Sequence, residues 1–293
     1  MRNDARHGRD SVLVTGASRG LGLETALTLA ERGFRVWAGI RNITSKERLE
    51  ASAAARGVFL EVLCLDVTDP ASVDSAMERI LKQDGDLYGL VNNAGVMARA
   101  YFEDFPEQDI RRIFETNVFG TMNVTRRVLP HMRRQRRGRI VMMSSIGGRI
   151  GSVGIAPYIA SKFALEGFSE SLALEVKPLG LDVIIIEPGI VATEIWKESS
   201  RILSGARNPE GPYYRWFCEE ERLAEAMLRS SRNRPEDVAR RVYQALSVSK
   251  PRLRYVVGRR ASSVLSLRRY LPGELFEKFY FGALLRRITR TTT

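Results

Sequence analysis

Histidine is almost absent: His7 and His131 are the only two in 293 residues. That scarcity argues against a zinc centre and against histidine-dependent catalysis, both of which draw on placed imidazoles. Cysteine is as sparse, and Cys64 and Cys218 are too few for a disulfide framework and too far apart for a metal clip. No run approaches the roughly 18 apolar residues that span a bilayer, and the longest sheet-like run, Val183 to Ile186, has the signature of a buried strand. The opening MRNDARHGRD lacks the apolar stretch of a secretory signal. The expected setting is therefore soluble, reduced and cytoplasmic, with no metal. No G-x-S-x-G surrounds a serine, which excludes a serine hydrolase of that kind. No nucleic-acid-binding motif is present either.

What is there is an ordinary globular balance, 44% hydrophobic and 27% charged, enough for one large core. The charge is less ordinary, at +12. Eleven basic and two acidic residues fall between Lys250 and the end. A second basic cluster is Arg133, Arg134, Arg136, Arg137 and Arg139. Solvated faces and phosphate-binding arginines account for this charge; attraction to an anionic membrane surface or an acidic partner is the sharper alternative.

Short apolar segments at 11–15, 34–39, 58–65, 87–92, 139–144 and 181–187 read as strands. Amphipathic segments near 21–32, 45–56, 70–84, 107–135 and 157–178 alternate with them. Near-continuous apolar strands between helices predict a mostly parallel sheet covered on both faces. No Pro/Gly linker interrupts the pattern, so residues 1–258 read as one domain. The stretch 190–235 is irregular and aromatic (Trp196, Tyr213, Tyr214, Trp216, Phe217) and has the look of a substrate lid. A helix near 235–248 and a strand near 253–257 complete the sheet, and 259–293 is a basic amphipathic extension.

Directly after the first strand comes Thr15-Gly16-Ala17-Ser18-Arg19-Gly20-Leu21-Gly22, opening a helix. Glycines permit the tight turn and bring backbone close to a pyrophosphate at the positive helix N-terminus. An NAD site usually places a carboxylate at the end of the second strand for the ribose 2′-hydroxyl. Here that tip reads Gly39-Ile40-Arg41-Asn42, without an acid, and Arg19 is a second cation aimed at the same corner. Two guanidiniums suit a 2′-phosphate, so NADP(H) rather than NAD(H) is expected.

Tyr158-Ile159-Ala160-Ser161-Lys162 lies in a helical segment, and the i, i+4 offset puts Tyr158 and Lys162 on one face. A lysine ammonium beside a phenol is expected to lower the tyrosine pKa towards the working range. Such a tyrosine can protonate a carbonyl oxygen that receives hydride, or deprotonate an alcohol. Ser145, thirteen residues upstream at the end of the fifth strand, can hydrogen-bond the substrate oxygen.

With these pieces the sequence resembles the short-chain dehydrogenase/reductase family in its single-domain branch. The matching segments are TGASRGLG (15–22), LDVTD (65–69), NNAG (92–95), Asn117 in ETNVFG, SSIGG (144–148), YIASK (158–162) and PGIVAT (188–193). The resemblance implies a Rossmann-type doubly wound, seven-stranded sheet, and a homodimer or homotetramer built on two long helices. It implies cofactor contacts from the glycine turn, from Asp66 and Val67 beside the adenine, and from Asn93, Ala94 and Gly95. Pro188, Gly189, Ile190 and Thr193 would meet the nicotinamide end, and Asn92 would brace the central strand. Asn117 would kink its helix and hold a water for proton relay, with Ser145 orienting substrate, Tyr158 as acid/base and Lys162 also binding ribose.

The stretch YIASKFALEGFSESLALEVKPLG resembles the 17β-hydroxysteroid and retinol dehydrogenase group, implying a bulky apolar alcohol or ketone. Trp196 and the other aromatics of 190–235 would supply apolar walls, or serve as ordinary core or dimer contacts. The tail is read either as packing on its own domain or as a peripheral membrane contact. A 3-ketoacyl-carrier-protein-type reductase and a non-catalytic NADP-binding scaffold are the competing readings.

Overall fold

The computed structural model describes residues 10–191 and 200–289. The strands are β1 (Ser11–Thr15), β2 (Arg35–Ile40), β3 (Glu61–Cys64), β4 (Gly89–Asn92), β5 (Met97–Arg99), β6 (Gly138–Met143), β7 (Leu181–Pro188), β8 (Ser200–Ile202) and β9 (Arg254–Val257). Seven of them form one sheet in the order β3-β2-β1-β4-β6-β7-β9, every neighbouring pair parallel. The helices are α1 (Gly20–Glu31), α2 (Lys46–Ala55), α3 (Pro70–Asp84), α4 (Glu107–Phe114), α5 (Thr121–Gln135), α6 (Ala156–Val176), α7 (Tyr214–Arg229) and α8 (Pro235–Ser247). The tail adds α9 (Arg259–Tyr270), α10 (Gly273–Phe276) and α11 (Gly282–Thr289).

Strands as apolar as Val-Leu-Val of β1 or Val-Ile-Ile-Ile of β7 are stable only with both faces covered, and helices cover both. On one face Val12, Val14, Ile184 and Ile186 meet Leu27 and Leu29 of α1 and Val238, Val242 and Leu246 of α8. On the other, Leu13, Leu90, Ile140 and Met142 meet Val73 and Ile80 of α3, Val124 and Val128 of α5, and Leu165 and Leu172 of α6. Each such aliphatic side chain contributes about 1.5–3 kcal/mol on burial. The result is the doubly wound Rossmann-type α/β fold. Its strand order reverses beside β1, which opens a crevice at the carboxyl ends of β1 and β4.

One segment differs from the sequence reading, and two others gain detail. The expected helix 107–135 is interrupted by a π-helical turn, Glu115–Gly120. Asn117, where the resemblance implied a kink, lies within that turn. The stretch 190–235, read as irregular, contains the strand β8, paired parallel with β5, and the sixteen-residue helix α7. Phe217 is the one residue of α7 buried outright, and Phe217, Ala224 and Leu228 recur at helical spacing, a stripe the sequence reading passed over. The tail folds as helices that bury Ala261, Phe276 and Ile288, with α11 against α7. Among the described residues no helix is long and apolar enough to cross a membrane.

Candidate active site

The glycine turn runs from the carboxyl end of β1 into α1. Gly16 has φ +64, and a Cβ there would lie 2.9 Å from Ala94 Cα. A Cβ on Gly22 would fall 2.3 Å from the Gly16 carbonyl oxygen, so Gly16 lets the turn lie against the segment after β4 and Gly22 lets the helix lie against the turn. Asn93 fixes the same turn, its Nδ2 donating to the Thr15 and Gly16 carbonyls at 2.9 and 3.1 Å. Thr15 Oγ1 accepts the Asn93 and Ala94 backbone N–H groups, both at 3.0 Å. At the N-terminus of α1, Arg19 makes no side-chain cap and the first turn carries no acid. The end of the helix dipole therefore faces the turn with no acidic residue of its own, which suits a bound phosphate group.

Arg19 and Arg41 are both exposed at this corner. The structure adds a residue that the sequence reading missed. Arg48 of α2 donates to the Ser18 carbonyl oxygen at 3.0 Å, which brings a third guanidinium beside the glycine turn. Its only sequence signal was a position one turn into the helix after β2. Asp66 and Val67 follow β3 as expected. The Asp66 Oδ1, however, already accepts the Thr68 backbone N–H at 2.9 Å and its hydroxyl at 2.7 Å. Val67 is buried, and its carbonyl accepts Asn123 Nδ2 at 3.1 Å. Asn92 braces the sheet by donating to Thr125 Oγ1 at 2.9 Å. Pro188 ends β7, Gly189 N–H donates to the Val257 carbonyl at 2.9 Å, and the Ile190 carbonyl accepts Ser231 Oγ at 2.7 Å. Thr193 and Trp196 lie outside the described residues.

Ser145 follows β6, and its Oγ accepts the Gly147 backbone N–H at 3.0 Å. Tyr158 opens α6, with Lys162 one turn on and its ammonium 5.6 Å from the centre of the Tyr158 ring. The ammonium is held from the sheet side, donating to the Met143 carbonyl oxygen at 2.8 Å. Here the structure corrects the expectation that the lysine lowers the tyrosine pKa. Burial pushes the Tyr158 phenol up, and the Ser145 hydroxyl is the group that pulls it back down. The lysine lies over the ring face, with its charge spent on the sheet. Burial lowers Lys162 to about 8, and Glu166, a further turn along α6, opposes that drop. Glu166 was not foreseen. It is buried and is held by Arg254 Nη2 at 3.0 Å, while Arg254 Nε reaches Glu187 at 3.2 Å.

Asn117 sits in the π-helical turn, where its side chain bridges backbone. Oδ1 accepts the Val96 N–H at 2.8 Å, and Nδ2 donates to the Val96 carbonyl and to Ser161 Oγ, both at 3.0 Å. Ser161 Oγ donates to the Tyr158 carbonyl at 2.7 Å, so Asn117 ties the strand after NNAG to the first turn of α6. Among the described residues no group of three His, Cys, Asp or Glu side chains could hold a metal.

A glycine turn on an uncapped helix and a Ser-Tyr-Lys cluster, both at the carboxyl edge of a parallel sheet, define a dinucleotide-dependent redox protein. The family model described as short chain dehydrogenase matches residues 10–202, and the chain belongs to that family of oxidoreductases. It is 37% identical over 268 residues to the Bacillus subtilis uncharacterized oxidoreductase YusZ, covering 90% of this chain and 95% of that one. It is 36% identical over 267 residues to human retinol dehydrogenase 8, covering 88% of this chain and 84% of that one. A short-chain dehydrogenase from Streptomyces avermitilis superposes with a TM-score of 0.76 at 32% identity, over 97% of this chain and 98% of that one. The same fold has been solved in complex with NAD, in a Burkholderia phymatum protein (24% identity, TM-score 0.76, 89% of this chain and 92% of that one), and with NADP, in a metagenomic one (24%, 0.66, 85% and 96%).

Proposed function

We propose that this protein is an NADP(H)-dependent oxidoreductase that interconverts a carbonyl and an alcohol on a bulky hydrophobic substrate. The observation that carries this reading is the meeting of Ser145, Tyr158 and Lys162 at the sheet edge that also presents the uncapped α1 N-terminus. Residues 1–258 are the catalytic domain, with 190–235 covering the substrate and 259–293 a basic extension. Gly16, Ser18, Gly20, Leu21 and Gly22 hold the pyrophosphate, and Arg19, Arg41 and Arg48 the 2′-phosphate. Asp66 and Val67 flank the adenine, Asn93, Ala94 and Gly95 the adjoining ribose, and Pro188, Gly189, Ile190 and Thr193 the nicotinamide end. The nicotinamide, when bound, supplies or accepts the hydride.

The protein's own residues do the rest. Ser145 donates a hydrogen bond to the substrate oxygen. Tyr158, kept protonated by burial, gives its proton to that oxygen in reduction. Lys162 holds the nicotinamide ribose. Asn117 fixes the helix turn through which the proton is replaced. Trp196, Tyr213 and Trp216 wall the substrate.

Lys162 titrates near 8, so it is an ammonium below that pH and an amine above it. The expected kcat/KM for ketone reduction is level below pH 8 and falls as pH rises through it, which an initial-rate profile with saturating NADPH reads. A steroid ketone, retinal and an acetoacetyl thioester, each with NADPH and NADH, test the function itself. NADPH consumption with the bulky apolar carbonyls supports the reading, and turnover of the thioester alone replaces it with a 3-ketoacyl-carrier-protein-type reductase. That alternative draws on exposed Arg133, Arg134 and Arg136 as a dock for an acidic carrier. Arg137 and Arg139 are committed elsewhere, to Asp10 and to the Ala245 and Val248 carbonyls.

Exposed Phe119, Phe163 and Leu174 on and beside α5 and α6 support a homodimer or homotetramer through that face. Exposed Tyr270, Phe279 and Leu285 among the tail arginines support a peripheral membrane contact. Sedimentation of the chain with and without anionic vesicles separates these two associations.

A further inference from the structure

Glu220 of α7 is a half-buried acid that the proton chemistry above does not use. Its carboxyl fills the space beside Gly154 that a side chain there would take: a Cβ on Gly154 would fall 2.2 and 2.4 Å from the two Glu220 oxygens. Gly154 has φ +71, and its carbonyl accepts the Ala100 backbone N–H at 2.9 Å. Tyr158 follows four residues later. The carboxyl therefore sits where α7, the chain leaving β5 and the loop leading into the catalytic tyrosine come together.

Two things about this carboxyl are unusual. Its Oε2 is fully enclosed and has no hydrogen-bond partner among the described residues. A buried acceptor left without a donor is costly and calls for an explanation. The nearby Arg99 makes no hydrogen bond to it, its Nη1 donating to both oxygens of the neighbouring Glu221 at 2.5 and 2.7 Å, although its positive charge acts on Glu220. Burial and the Glu221 charge push Glu220 up to about 7, against the pull of the Arg99 charge, so it ionises within the physiological range. The second feature is aromatic. Tyr101, close enough for Glu220 to help raise its phenol to about 12, stacks on Tyr213 at 4.9 Å and tilts against Trp216 at 6.5 Å.

A carboxylate lacking a donor, with the Tyr101 ring and the aromatics stacked on it nearby, favours a positive charge over a neutral hydroxyl. We propose that Glu220 is a specificity-determining residue that receives a protonated amine on the substrate, which is then an amphipathic amino ketone or amino alcohol. This rests on the hydrophobic-substrate reading above and adds the polar end that orients such a molecule. A purely apolar substrate leaves Oε2 unsatisfied, and an acidic one meets two carboxylates.

Calorimetric titration of the full chain with NADPH present, using octylamine and 1-octanol as equal-length probes, tests the assignment. The wild type is expected to bind octylamine at least tenfold more tightly than octanol. Glu220→Gln keeps the shape and removes the charge, and should bring that ratio close to one while octanol affinity changes less than threefold. If Glu220→Gln fails to fold, Glu220→Asp, which withdraws the carboxylate by one methylene, should weaken octylamine at least fivefold. An unchanged octylamine preference in whichever variant folds, or no preference in the wild type, overturns the proposal. Because binding is read without turnover, a chain that shows the Glu220-dependent preference but reduces no apolar carbonyl refutes the hydrophobic-substrate reading while the amine site stands.

Discussion

Tyr158→Phe is expected to lower kcat for carbonyl reduction by about a thousandfold, within the range general acid catalysis contributes, while the NADPH dissociation constant stays within about twofold. The substitution removes one oxygen from a residue that opens α6 in a packed turn, so the ring and its contact with Lys162 remain. What is lost is the proton donor to the nascent alkoxide. The structure makes this acid role the natural one: burial raises the phenol, and its proton is present at neutral pH for delivery. Ser145→Ala tests the same geometry from the substrate side. Its hydroxyl pulls the Tyr158 phenol back down, so its removal should lower kcat and leave the limb set by Lys162 near pH 8 in place. Steady-state rates together with cofactor fluorescence titration separate the two effects, and a Tyr158→Phe enzyme with full activity has no place in this account.

The second large effect concerns the cofactor. Arg41→Ala and Arg48→Ala, each removing a guanidinium from the corner beside the glycine turn, should raise KM for NADPH by roughly ten- to a hundredfold, the range of one charge-assisted hydrogen bond of about 1.5–3 kcal/mol. KM for NADH should change little, since it carries no 2′-phosphate. Arg48 is the more informative of the two because it is anchored to the Ser18 carbonyl at 3.0 Å and so is already oriented. A preorganised guanidinium loses less freedom on binding a phosphate than an untethered one. Competition assays with both cofactors read the ratio directly, and a variant that loses NADH and NADPH equally would assign the arginines to the turn's stability instead.

Much of the site was legible because its chemistry is local. Tyr158 and Lys162 are one helical turn apart, Gly16 and Gly22 belong to one turn, and Ser145 ends a strand whose apolar run announces it. The sheet was legible for a similar reason, since strands such as 181–187 carry no polar face to show solvent. Long-range placement was not legible. Sequence spacing put Lys162 beside the Tyr158 phenol, but the Met143 carbonyl, nineteen residues away on β6, claims the ammonium. Glu166 and Arg254 lie far apart along the chain and meet only because β9 completes the sheet beside β7. The π-helical turn falls at Asn117, where the resemblance placed a kink, whereas the apolar stripe of α7, with Phe217, Ala224 and Leu228, was passed over in a segment read as irregular. Glu220 read as one acid among several on a charged helix. Its significance arises from a glycine 66 positions earlier.

The central claim is that this sheet edge moves hydride to a carbonyl carbon while Tyr158 moves the proton. Reduction of an apolar ketone with NADPH deuterated at the transferable nicotinamide position tests it most directly, with product analysed by mass spectrometry. One deuterium on the carbinol carbon per alcohol formed is the predicted result, with product reduced about a thousandfold in Tyr158→Phe. NADPH bound at the same affinity, yet no deuterium delivered to any ketone in the panel, would contradict it.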